Sequence, residues 1–143
     1  MKARCLNSKL TLTVSLALIV LAAFVSAAVK ASAAEVQQIK AEDVKKLIEG
    51  KKKDFLVVDT QPKGAYALGH IKGAVNFPWG PDLKSPGKLP KNKMLILYCD
   101  CAHEEDSTDT ANQLMEKWGY TNLRILEGGW GRWQQLGYPI EKK

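Results

Sequence analysis

Apolar positions along this chain fall into short dense runs, separated by segments with a helical stripe. Residues 35–39 form a short possible strand. Residues 41–49 set Val44, Leu47 and Ile48 on one face, begin with acids and stop at Gly50, which predicts an amphipathic helix. After a basic turn at Lys51, Lys52 and Lys53, FLVVD at 55–59 is a β-branched run suited to a strand covered on both faces. Pro62 opens a short helix over 62–68, and a second short strand over 74–77 is stopped by Pro78. Residues 79–93 hold Gly80, Pro81, Pro86, Gly87 and Pro90 and predict a long surface connection. MLILY at 94–98 is the clearest strand. A helix capped by Asp106 or Ser107 runs to Trp118 and stops at Gly119. LRIL at 123–126 is a further strand, and Gly128-Gly129 opens a last helix with Trp130, Trp133 and Leu136 on one face. Strands alternating with helices predict an α/β fold, a central parallel sheet with helices on both faces. Ligands of such sheets bind beyond the carboxyl ends of strands, where Cys99 lies.

The first 33 residues follow a different pattern. Lys2, Arg4 and Lys9 precede residues 10–29, which carry no charge, and Ala31-Ser32-Ala33 supplies a small-x-small cleavage pattern. Residues 1–33 are therefore expected to be a signal peptide cut after Ala33 or Ala34. The alternative is an uncleaved membrane anchor, since about 20 apolar residues span a bilayer. Cys5, in the basic region, is incidental. Of 21 basic residues four lie in this segment, so the remaining chain has 17 against 15 acids, a balance of +2 rather than +6. That balance gives no reason to invoke nucleic acid. Residues 34–143 suffice for one domain, and their two cysteines, Cys99 and Cys101, would close a negligible loop as a staple. They are there for chemistry.

Three stretches, VVDTQPKGAYALGHIKGAVNFP (57–78), LILYC (95–99) and GYTNLRILEGGWGRWQQLGYPIE (119–141), resemble the rhodanese-like domains in order and spacing across residues 36–141. The resemblance implies a sulfurtransferase fold in which the first residue of a strand-to-helix loop, here Cys99, carries sulfane sulfur as a persulfide. Independently of it, backbone N–H groups of Asp100, Ala102, His103, Glu104, Glu105 and Asp106 can form an anion-binding nest, and the helix N-terminus adds partial positive charge. Both favour a thiolate. Asp59 and His70 are supporting residues: Asp59 caps its loop, and His70 serves as a turn or packing residue. Trp130 and Trp133 belong to the core, with one of them able to flank the cysteine pocket. Trp79 is the aromatic expected in solvent, and Lys63 is the nearest mobile cation.

The chain departs from the family where a cation is expected. Glu104 stands five positions after Cys99, Asp106 five after Cys101, and Gln61 replaces the Arg of the Asp-x-Arg turn. Seven residues separate Cys99 from Ser107, longer than the family's six-residue loop. Each carboxylate at ~8 Å and an effective dielectric of about 40 costs a thiolate about 1 kcal/mol, less where salt screens it. Classical thiosulfate:cyanide turnover is therefore not expected, and a neutral or protein-bound persulfide donor fits better. Cys101 is the first candidate for a resolving thiol or an alternative nucleophile. Cys99, Cys101 and His103 at alternate positions also offer soft ligands for Zn or Cu(I), and the two thiols alone a labile local disulfide. A non-catalytic interaction module on the same fold is the third reading. The leading expectation is an exported sulfurtransferase of the periplasm or cell envelope, alternatively anchored in the inner membrane. It needs no cofactor, and its partners are a small sulfur donor or a thiol- or persulfide-bearing protein.

Overall fold

The computed structural model describes residues 35–50 and 53–143. The expected signal or anchor segment and the first two residues of the basic turn lie outside them. The fold is built by residues 36–143. Its elements run β1 (Gln38–Ile39), α1 (Ala41–Glu49), β2 (Phe55–Asp59), α2 (Lys63–Leu68), β3 (His70–Ile71), β4 (Val75–Asn76), β5 (Met94–Tyr98), α3 (Glu105–Trp118), β6 (Leu123–Leu126), α4 (Gly129–Gln135) and β7 (Ile140–Glu141). Five strands form one parallel sheet in the order β1-β6-β5-β2-β4. The other two pair antiparallel.

The period of two along the central strands divides the core. Phe55 and Val57 of β2, with Ile96 and Tyr98 of β5, pack on Val44 of α1 and Trp130 and Trp133 of α4. Val58, Leu95 and Leu97 face the other way, onto Ala111 and Leu114 of α3. Side chains alternate across a strand, so one apolar run feeds both layers. The helices thus cover both faces, as the sequence pattern requires.

Two details differ from expectation. β3 and β7, two residues each, lie outside every run that the pattern marks as a strand. The helix after β5 begins at Glu105, before both expected caps, because Glu104 takes a left-handed conformation (φ 54°, ψ 27°) and turns the chain into it. Ser107 then lies inside the first turn, its hydroxyl donating to Glu104 O at 3.0 Å. The loop from β5 to α3 is residues 99–104, six rather than the longer stretch counted to Ser107. Gly119 closes α3 with φ +67°, its N–H donating to Met115 O and that of Tyr120 to Leu114 O.

Candidate functional site

Cys99 is the first residue beyond β5 and is 1% exposed. Its thiol donates to Ser107 Oγ at 3.7 Å. Cys101 is half-buried, and both are free thiols. The Cys101 thiol lies beside that of Cys99 and beside the Asp106 N–H and carboxylate. Its pKa is pushed up to about 12, first by burial, then by the Cys99 thiol and the Asp106 carboxylate, against the pull of the Asp106 N–H. The Asp106 N–H, at the start of α3, is thus directed to the Cys101 sulfur. The His103 N–H is taken by the Glu105 carboxylate at 3.1 Å, so one amide of the expected nest has a partner of its own. Asp100, Ala102, His103 and Glu105 are exposed. His103 does not join the two sulfurs in a metal-binding cluster: among the described residues no group of three or more His, Cys, Asp or Glu is placed to hold an ion.

The turn from β6 into α4 grips this loop at two points. The Trp130 N–H donates to Cys99 O at 2.9 Å. The Gly128 N–H donates to Glu104 Oε1 at 2.7 Å. A Cβ on Gly129 (φ +47°) would lie 2.4 Å from Cys99 O, so only glycine allows the approach. Glu104, the acid standing where a cation was sought, is thus a strut holding the loop shut, and its charge is spent on a backbone amide. Sequence reading counted it as repulsive; the left-handed backbone that makes it a strut has no signal in a glutamate.

Beneath the loop, Asp59 is fully buried. It accepts from Gln61 N–H at 2.8 Å, from Gln61 Nε2 at 3.2 Å and from Tyr98 O–H. Tyr98 O in turn accepts from Thr60 N–H (2.9 Å) and Oγ1 (3.0 Å), and Tyr98 Oη accepts from Ile71 N–H at 3.0 Å. Burial raises the Asp59 pKa, opposed by these three donors. Gln61 does with neutral donors what an arginine would do with charge. His70 is buried, its Nδ1 2.8 Å from Tyr66 O and its ring stacked on Tyr66 at 3.8 Å. Its Nε2 lies 3.9 Å from Glu141 Oε2, which places it in the β3–β7 layer. Trp133 is core, and Trp79 is 41% exposed, its Nε1 donating to Asp109 Oδ2 at 2.7 Å.

A cavity of about 340 Å³ opens beside the loop, lined in part by Gln61, Asp100 and Trp130. Its cation is Lys142, not the expected Lys63. Lys142 gave no signal because only the pairing of β7 with β3 carries the end of the chain to this place. Neither this cavity nor a larger concavity of about 620 Å³ between α1 and the start of α4 has a thiol in its lining; the smaller one holds Asp100 of the cysteine loop.

The family model for the rhodanese-like domain matches residues 40–136. Over 86 residues the chain is 29% identical to the adenylyltransferase and sulfurtransferase UBA4 of Meyerozyma guilliermondii, covering 56% of this chain and 20% of that protein. It is 32% identical over 87 residues to a putative thiosulfate sulfurtransferase of Mycobacterium leprae, 51% of this chain and 31% of that one. It thus spans a third or less of the length of these relatives. The solution structure of the rhodanese-like domain of the Alr3790 protein from Anabaena superposes with a TM-score of 0.61 at 29% identity, over 74% of this chain and 79% of that one.

Proposed function

This chain belongs to the rhodanese-like domain family, and on that premise we propose that it is an exported sulfurtransferase carrying sulfane sulfur as a persulfide on Cys99. The observation that most supports the reading is the pair of free thiols side by side at the carboxyl end of the central strand, one buried and one half-exposed. Cys101 keeps its proton at neutral pH, so attack on a donor falls to Cys99. The Cys99 thiolate bonds the outer sulfur of R–S–SH, the donor's S–S bond breaks, and R–S⁻ leaves. Cys101, once deprotonated, takes that sulfur: Cys101–S–SH forms, and Cys99 returns as a thiolate. The Asp106 carboxylate beside Cys101 favours its protonated form, so the proton passes to solvent as the sulfur arrives. An acceptor thiol then removes the sulfur from the more exposed position. Asp59 and Tyr98 hold the strand end, and the N-terminus of α3, with the loop amides other than that of His103, favours the anion.

Intact-mass analysis after exposure to thiosulfate, polysulfide and an organic persulfide in turn tests this. One added sulfur is expected on the wild type and on Cys101→Ser, and none on Cys99→Ser. Addition that survives Cys99→Ser but is lost in Cys101→Ser would move the carrier role to Cys101. No addition on either would leave the interaction-module reading. Thiol–disulfide exchange is the second reading, favoured by the same proximity. It predicts loss of two hydrogens on mild oxidation, with no persulfide formed from any donor.

Export rests on the N-terminal pattern alone. N-terminal sequencing of protein from soluble and membrane fractions is expected to begin at residue 34 or 35, in the soluble fraction. Recovery of an intact N-terminus with membranes would favour the anchored alternative.

A further inference from the structure

Of the large hydrophobic side chains exposed among the described residues, Leu68 is 78% and Ile140 43% exposed, and both stand on the rim of the cavity beside the cysteine loop. Neither thiol is in its lining, but the cavity meets their loop at two points. Asp100, in its lining, separates Cys99 from Cys101, and Trp130, also in its lining, donates its N–H to Cys99 O. Ala65, Leu68, Trp130 and Ile140 give it an apolar wall, while Lys142 and Asp100 carry opposite charges, so the lining is neutral as a whole. A small inorganic dianion has no use for the apolar wall. Its volume, about 340 Å³, is at the lower end for small organic ligands.

We propose that this cavity selects the sulfur donor, and that the donor is a small organic persulfide with an apolar body and one carboxylate. Its body lies on Leu68, Ile140 and Trp130, its carboxylate meets Lys142, and its outer sulfur points to the cysteine loop. The proposal rests on the sulfurtransferase reading and adds the donor class. The reaction needs no oxidant: Cys99–S⁻ and R–S–SH give Cys99–S–SH and R–S⁻, which leaves the cavity as the thiolate. Leu68 and Lys142 are specificity residues here. They bind the part of the donor that does not react, and the exposure of Leu68 lets it be changed without opening the core.

The test uses three donors with the full chain: 4-carboxybenzyl hydropersulfide, benzyl hydropersulfide and thiosulfate. The readout is the second-order rate of one-sulfur addition by intact mass. The carboxylated persulfide is expected to load about tenfold faster than thiosulfate, the difference made by its buried body. Lys142→Ala should lower the ratio of carboxylated to uncharged donor about threefold. Lys88→Ala, an equal charge change in the 79–93 connection, should keep that ratio. Leu68→Ser should lower benzyl hydropersulfide loading about fivefold relative to thiosulfate, with an unchanged thermal melt. Equal rates for all three donors, or a donor ratio that Lys142→Ala leaves in place, would overturn the donor assignment while the persulfide chemistry stands. Absence of added sulfur from every donor would instead overturn the sulfurtransferase reading, and this inference with it.

Discussion

At Cys101, burial, the Cys99 thiol and the Asp106 carboxylate all favour the protonated form, with one backbone N–H opposing them. A pKa raised from 9.0 to about 12 leaves the thiolate fraction on the order of a thousandfold lower than in an unperturbed cysteine. Alkylation of Cys101 in the wild type should therefore be slow at neutral pH and climb only in strong alkali. Asp106→Asn should accelerate it at a fixed pH, as peptide mapping of iodoacetamide adducts would show; no acceleration would separate the carboxylate from the thiol. Asp59 gives a prediction of opposite use. Its folded pKa lies above the unfolded value of about 3.9, so its contribution to stability is present below about pH 4 and is lost as pH rises through the raised folded value. Urea midpoints should thus show Asp59→Asn gaining on the wild type as pH rises from about 4 toward neutrality. A constant difference across that range would mean Asp59 is not perturbed. At this scale the sequence placed the thiol well, because an apolar run must end somewhere and Cys99 ends it. It could not assign partners. Gln61 reads as a lost cation until its two N–H groups are seen on Asp59, and Glu104 reads as repulsive until its carboxylate is seen on Gly128.

The cysteine loop is held by elements that come from far along the chain. The start of α4 approaches Cys99 O so closely that a methyl group at residue 129 has no room, and φ there is already in the glycine region. Gly129→Ala should cost about 3 kcal/mol of folding stability and separate the turn from the loop. Loading of Cys99 should fall with it, even where the variant is fully folded by circular dichroism; unaltered stability and loading would dispose of the grip. Across the molecule, Gln113 of α3 accepts from Leu83 N–H and donates to Gly80 O, both at 2.8 Å, fastening the 79–93 connection. Gln113→Ala should cost about 1–3 kcal/mol, since it leaves half-buried backbone groups unpaired. Limited proteolysis is expected to cut that connection first. The longer elements were legible because four or more residues show a period. β3 and β7 were not, since neither lies in a run that the pattern marks as a strand. The start of α3 was displaced because residue types mark caps, and here an unmarked left-handed glutamate makes the turn.

At the largest scale, the two faces of one parallel sheet account for both core clusters, whose described members lie between Val36 and Tyr138. The parallel order follows from alternating strands and helices, so the architecture was readable before any side chain was placed. What alternation cannot give is which loops meet at the carboxyl ends, because that depends on the strand order and not on its members. The extent of the domain also bears on residues 1–33. The family model matches residues 40–136, which leaves that segment outside the matched domain, and Val44, Leu95, Ile96, Leu97, Tyr98, Leu114, Leu126 and Trp133 within it are all fully buried. Chain beginning at residue 34 should therefore unfold cooperatively, with a Tm within about 2 °C of the full chain. It should also take up sulfane sulfur at the same rate. Should the shortened chain lose either property, the N-terminal segment would be part of the working domain and not an address or anchor, and the export reading would have to be given up.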